Sequence, residues 1–67
     1  MLNREKAGMM LRMLRGEKSQ AEVASDLGVT SMAISQYERG ERVPNDDMKI
    51  RIASYYGKTV EELFFAH

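Results

Sequence analysis

The chain has 67 residues, with ten basic and ten acidic side chains, a formal net charge of zero and no cysteine. This length fits a single domain over residues 1–67, and the missing cysteine excludes disulfides and thiolate metal sites. The one histidine, His67, is too few for a histidine-based zinc site, so neither a metal nor a cofactor is expected. Hydrophobic residues make up 43% of the chain, which is enough for a core and argues against disorder.

The sequence shows no targeting or membrane-spanning segment. Charged residues interrupt the first eleven positions, where a signal peptide needs an unbroken apolar stretch. The longest apolar run, residues 63–66, is far shorter than the roughly 20 residues that span a bilayer. Together with the cysteine-free composition, these features favour a soluble, cytoplasmic protein.

Hydrophobic periodicity predicts five short helices, and no segment shows the two-residue alternation of a strand. The first helix is expected at about residues 3–15 and ends at Gly16. Its apolar stripe has the spacing i, i+3, i+4 and i+7 and consists of Ala7, Met10, Leu11 and Leu14. Met9 and Met13 lie off this stripe, so the helix has the potential for a second apolar face, for which packing is the favoured interpretation and metal binding is not.

Capping residues predict where the other helices begin. Ser19 and Glu22 have capping-box spacing before a helix at residues 20–27, which Gly28 ends. Thr30 is the expected N-cap of a third helix that runs to Glu38, with Gly40 following in a left-handed conformation.

The two remaining helices follow the same pattern. Asn45 is the expected N-cap of a fourth helix, whose buried face includes Met48, Ile52 and Tyr56 and which ends at Gly57. A second capping box, formed by Thr59 and Glu62, opens a short fifth helix with Val60 and Leu63 facing inward.

Residues 20–39 have the spacing of a helix-turn-helix motif, whose second helix fits the major groove of DNA. Ala24 is small where the two helices cross, and Gly28 permits the left-handed turn between them. Val29 and Ile34 are expected to wedge between the helices and to fix their angle.

The segment QAEVASDLGVTSMAISQYERGERVP resembles the DNA-binding domain of the phage repressor and Cro family, also called XRE-type. The resemblance covers about residues 10–64 and implies an all-α, five-helix, lambda-repressor-like fold. It further implies a sequence-specific transcriptional regulator of double-stranded DNA, most often a repressor, that binds near-palindromic operators as a homodimer.

The resemblance also assigns roles to particular residues. Base-reading positions on the outward face of the third helix are Ser31, Met32, Ser35 and Gln36. Positions that match contacts to DNA phosphates are Gln20, Thr30, Arg39 and Arg42. The family often pairs an arginine late in the first helix with the glutamate of the third, and Arg15 fits this pairing with Glu38 better than Arg12 does.

All four base-reading positions keep alternatives, and the hydroxyls of Ser31 and Ser35 could contact a base, a phosphate or neither. Gln36 has the amide geometry that recognises adenine, but the same residue could be an ordinary solvated helix residue. Met32 could contact a thymine methyl group, or it could be a partly buried residue of the turn.

Self-association is expected at the C-terminal end. Phe64 and Phe65 are adjacent on a helix and cannot both point into one small core, so one of them should cover a partner or the first helix. A separate feature is the local excess of positive charge at the start of the chain. Residues 1–18 carry five basic and two acidic side chains and could flank the DNA backbone.

Two other functions remain open. One is an antitoxin or accessory regulator that acts mainly through a protein partner, and the other is an interaction module that keeps the fold but has lost DNA binding. The sequence pI of about 6.6 is the main support for the second. Catalysis is not expected, because the chain has no glycine-rich phosphate loop and no histidine beside a nucleophile.

Overall fold

Five α-helices joined by short turns make up residues 3–65, which are the part of the chain described by the computed structural model. They are α1 (Arg4–Arg15), α2 (Gln20–Leu27), α3 (Ser31–Glu38), α4 (Asp46–Tyr56) and α5 (Val60–Phe64). No strand occurs within these residues. The predicted all-α, five-helix architecture is confirmed.

Each helix begins at a residue whose side chain satisfies a backbone amide of the first turn. Asn3 Oδ1 accepts from the Lys6 amide of α1, and Asn45 Oδ1 accepts from the Met48 amide of α4. Both predicted capping boxes are complete, with hydrogen bonds in both directions between Ser19 and Glu22 and between Thr59 and Glu62. These caps fix the helix starts because an uncapped first turn leaves several donors unpaired.

The core forms where α1 packs against α3 and α5 and where α2 packs against α3 and α4. Its most deeply buried large side chains are Val23, Ile52 and Leu63. Within residues 3–65, no helix combines the length and the apolar character needed to cross a membrane.

The predicted stripe of α1 faces this core. Ala7 and Leu11 are buried, while Met10 and Leu14 are partly buried against the core. Met9 and Met13 lie on the opposite side, where 66% and 79% of their surface is exposed. The second apolar side of α1 is therefore not packed within the domain.

Phe64 and Phe65 point in different directions, as their adjacency on a helix requires. Phe64 is buried in the core, and Phe65 is 37% exposed. Lys49 of α4 contacts both rings, with its ammonium 5.3 Å from the ring centroid of Phe65 and 6.0 Å from that of Phe64. The Lys49 side chain is 12% exposed, and the contact places its charge over aromatic rings, which is favourable.

Candidate nucleic-acid interface

A sharp turn at Gly28 sets the geometry of α2 and α3. Gly28 has φ 72° and ψ 33°, and the Val29 amide donates to the Ala24 carbonyl over 2.9 Å, which closes a Schellman motif. Ala24 and Ile34 are buried between the helices, and Val29 is half-buried. The residues of the predicted helix-turn-helix motif therefore lie where the motif needs them.

The outward side of α3 forms a surface that we call the reading face, and it consists of Ser31, Met32, Ser35 and Gln36. Ser31 and Met32 are exposed, while Ser35 and Gln36 are half-buried. The opposite side of the helix is buried, because Ala33, Ile34 and Tyr37 pack into the core. Met32 is 69% exposed, so the alternative of a partly buried turn residue does not apply to it.

Glu38, at the end of α3, is the centre of a buried polar cluster. Its carboxylate accepts from Arg15 Nε over 2.7 Å and from Arg15 Nη2 over 3.1 Å, and its side chain is 4% exposed. The pair predicted from the resemblance is therefore present, and Arg15 is the partner. This bidentate contact raises the pKa of Arg15, with the hydrogen bond to Glu38 as the largest cause.

Gln20 joins the same cluster from the start of α2. Its Nε2 donates to Glu38 Oε1 over 3.0 Å, which the sequence did not indicate. One amide hydrogen and the carbonyl oxygen of Gln20 are left for another ligand. The side chain is thus held at the N-terminus of α2, where backbone amides and the helix dipole favour an anion such as phosphate.

The other residues predicted to contact phosphate border the reading face. Thr30 caps α3 by accepting from the Ala33 amide, and its hydroxyl hydrogen can still be donated. Arg39 is exposed and forms an ion pair of 3.2 Å with the equally exposed Glu41. Arg42 lies with its guanidinium 5.6 Å from the ring centroid of Tyr37. Such surface pairs are weak, so an arginine could exchange its carboxylate for a phosphate at little cost.

A polar chain ties the loop before α2 to α4. Lys18 Nζ donates to the hydroxyl of Tyr55 over 2.9 Å, and that hydroxyl donates to Asp26 over 2.6 Å. The hydrogen bond to Tyr55 is the main reason why the pKa of Lys18 is raised. Because Lys18 and Arg15 are both engaged within the domain, the basic excess of residues 1–18 is less available to DNA than the sequence suggests.

Arg51 makes a second tie between α4 and α2. Its Nη2 donates to the carbonyl of Leu27 over 2.6 Å, at the end of α2 where helix carbonyls lack intrahelical partners. Periodicity alone could not have found these contacts, because they join residues 24 to 37 positions apart.

Gly8 is a further residue whose role is not evident from the sequence. A Cβ atom at this position would lie 2.4 Å from the Glu38 carbonyl oxygen and 2.7 Å from that of Tyr37. Only glycine lets α1 approach the end of α3 this closely. The one signal in the sequence was a glycine inside an otherwise helical pattern, which often has a packing reason.

Tyr56 lies beside the same cluster and predicts a pH effect. Burial, followed by the negative charge of Glu38, raises its pKa to about 12. A tyrosine in an unfolded chain has a pKa of about 10, so the folded state holds the proton more tightly and stability should fall as the pH rises from about 10 to about 12. The measurement is chemical denaturation across this range for the wild type and Tyr56→Phe. The difference in the free energy of unfolding between the two proteins should be constant below pH 10 and should shift in favour of the phenylalanine variant above it. A difference that stays constant throughout would contradict the raised pKa of Tyr56.

Comparison with known proteins places this arrangement in a family. Residues 4–63 match the family described as helix-turn-helix. The crystal structure of the DNA-binding domain of BldD is similar, with a TM-score of 0.73 and 26% sequence identity over 91% of this chain and 92% of that one. Among proteins of curated function, no sequence matches this chain.

The match covers most of the chain, so the protein belongs to the helix-turn-helix family. The chain is of the phage repressor and Cro type, which is the type that its sequence resembles. Proteins of this family are DNA-binding regulators and not enzymes.

Proposed function

We propose that the protein binds double-stranded DNA in a sequence-specific manner, as a homodimer, with α3 in the major groove, and that it represses transcription. The observation that carries this proposal is the reading face, which is accessible and uncharged and lies between Thr30 at one end and Arg39 at the other. The exposed and half-buried side chains of this face can meet base edges, while the flanking residues can meet the backbone.

Dimerisation follows from the small number of phosphate contacts that one domain can make. Arg39 and Arg42 are the arginines beside the reading face, and with a formal net charge of zero the chain has little long-range attraction for DNA. Two domains on one operator double the contacts, and helix-turn-helix dimers of this class place half-sites about 34–36 Å apart. Phe65, exposed beside Lys49, is the candidate for the dimer contact, since Phe64 is already buried.

Alanine variants of Gln36 and Arg39 test the assigned surface. Loss of a base-reading residue should cost about 1–3 kcal/mol of binding and relax specificity at one position. Loss of a phosphate contact should weaken binding to all sequences and reduce the slope of affinity against salt by about one. Binding is measured at several salt concentrations on a site selected from random duplexes, which also reveals the half-site spacing.

Lys58→Ala is the matched control for the charge change, because Lys58 lies between α4 and α5, outside the helix-turn-helix. We expect it to leave both affinity and salt slope unchanged. Unaltered binding in both the Gln36 and the Arg39 variant would show that the assigned surface is wrong.

A second candidate is a module that acts through a protein partner, as an antitoxin or accessory regulator does. Exposed Met9 and Met13 on the outer side of α1 favour it, since adaptable methionines are frequent on protein-binding surfaces. In that case, a second protein should co-purify with the chain. Weak retention on DNA that is insensitive to salt would instead favour an interaction module that keeps the fold but has lost DNA binding.

A further inference from the structure

Met32 is the most prominent apolar side chain on the reading face. It is 69% exposed, and its position on α3 is opposite the buried Ala33, Ile34 and Tyr37. Exposure of this apolar side chain to water is unfavourable, whereas packing against a methyl group would remove apolar surface from solvent. In the major groove, the methyl group that a base presents is the C5-methyl of thymine.

The rest of the face supports the same kind of base. Within α3, all of which the structure describes, the outward side chains carry no charge. Arginine and lysine are the usual partners of guanine, and glutamate or aspartate of the cytosine amino group. The one acidic residue of this helix, Glu38, is buried and bound to Arg15 and Gln20, so it cannot face the groove.

Gln36 adds a complementary group one helical turn away. Its amide can accept from and donate to adenine N6 and N7 together. Four residues of helix rise by about 6 Å, which is close to two base-pair steps of about 3.4 Å, so with α3 lying along the groove Met32 and Gln36 would address different base pairs. Together, a methyl-contacting Met32 and an adenine-reading Gln36 would favour A·T pairs over G·C pairs.

Resting on the proposed function, we infer that Met32 is a specificity-determining residue that reads a thymine methyl group in an A·T-rich half-site. One buried methylene-sized group is worth about 0.8 kcal/mol, which corresponds to a change of about fourfold in affinity. This contact is independent of base-pair hydrogen bonds, because uracil differs from thymine only by the methyl group.

The experiment uses an operator selected from random duplexes by the 67-residue wild-type chain. Each thymine of one half-site is replaced in turn by uracil, and affinities are compared for wild type, Met32→Ala and Met9→Ala. We expect one replacement to weaken wild-type binding about fourfold and to have no effect on the Met32 variant. Met9 is the matched control, because its side chain is 66% exposed but lies on α1, so this variant should keep the uracil effect.

The outcomes separate the inference from the proposed function. Failure to select any duplex would overturn the proposed function and the inference with it. Specific binding in which no uracil has an effect, or in which the effect persists in Met32→Ala, would overturn the inference alone. A half-site centred on guanines would overturn it as well. Met32→Ala is expected to fold, because the position is exposed and alanine is the best helix former.

Discussion

Replacing Arg15 with methionine is expected to destabilise the domain by about 3 kcal/mol, as removal of one partner from a buried ion pair does. The Glu38 carboxylate would remain 4% exposed and would lose both hydrogen bonds to the guanidinium. The expected loss of stability lies at the lower end of the range for broken buried ion pairs, because the Arg15 side chain is 17% exposed and Gln20 would still donate to Glu38. A 67-residue domain has only about 3–10 kcal/mol of stability, so this variant should lie close to unfolding at ambient temperature.

The measurement is urea denaturation followed by circular dichroism, with Arg12→Met as the matched control. Arg12 lies in the last turn of the same helix but is exposed, so its replacement should change the free energy of unfolding by about 0.5 kcal/mol or less. A loss below about 1 kcal/mol in the Arg15 variant would contradict the assignment of Glu38 as a buried charge that needs this partner.

A double variant separates the charge from the space that the pair fills. Arg15→Met combined with Glu38→Leu removes both ions and leaves apolar side chains of similar size. Replacing a whole buried pair is often neutral or stabilising, so the double variant should be more stable than Arg15→Met alone. If it is less stable, packing of the leucine, and not charge, dominates at this site.

The helix boundaries could be predicted because their causes are local. Each N-cap contacts an amide three residues further along, as Thr30 does with Ala33, so the residues that decide the boundary are adjacent in the sequence. The outward position of Met32 and Gln36 could be predicted for a similar reason, whereas their base-reading role is what the resemblance implies and stays a prediction. Once Ala33, Ile34 and Tyr37 are assigned to the core, the 3.6-residue period leaves Met32 and Gln36 on the other side.

The partners of Glu38 could not be predicted from local spacing in this way. The choice of Arg15 over Arg12 depended on a resemblance to known proteins, since periodicity does not say which arginine reaches a residue 23 positions away. Gln20 matches a phosphate-contacting position of the family, but its hydrogen bond to Glu38 depends on how α2 crosses the end of α3. The series of hydrogen bonds from Lys18 through Tyr55 to Asp26 likewise forms only when the loop before α2, α2 itself and α4 are all in place. Relations of this kind arise from packing and cannot be predicted from spacing.

Gly8→Ala is expected to destabilise the domain although alanine is the better helix former. In an exposed helix the change would stabilise by about 1 kcal/mol. Here the added Cβ would lie 2.4 Å from the Glu38 carbonyl oxygen, which is backbone and cannot move without shifting α3 away from α1. Overpacking typically costs about 1–3 kcal/mol and occasionally more, and a clash with backbone belongs at the upper end, so we expect a net loss of about 2 kcal/mol.

The sign of this effect is what distinguishes close packing from ordinary helix propensity. Arg12→Ala, an exposed change in the same helix, is the control and should be neutral or slightly stabilising. Thermal and urea unfolding of the two variants give the comparison directly, and a more stable Gly8→Ala would show that α1 and α3 can separate freely. Because α3 carries both Glu38 and the reading face, its displacement should also weaken DNA binding. Gly8 therefore affects the proposed interface indirectly, because it allows the position of α3, the helix that carries the reading face.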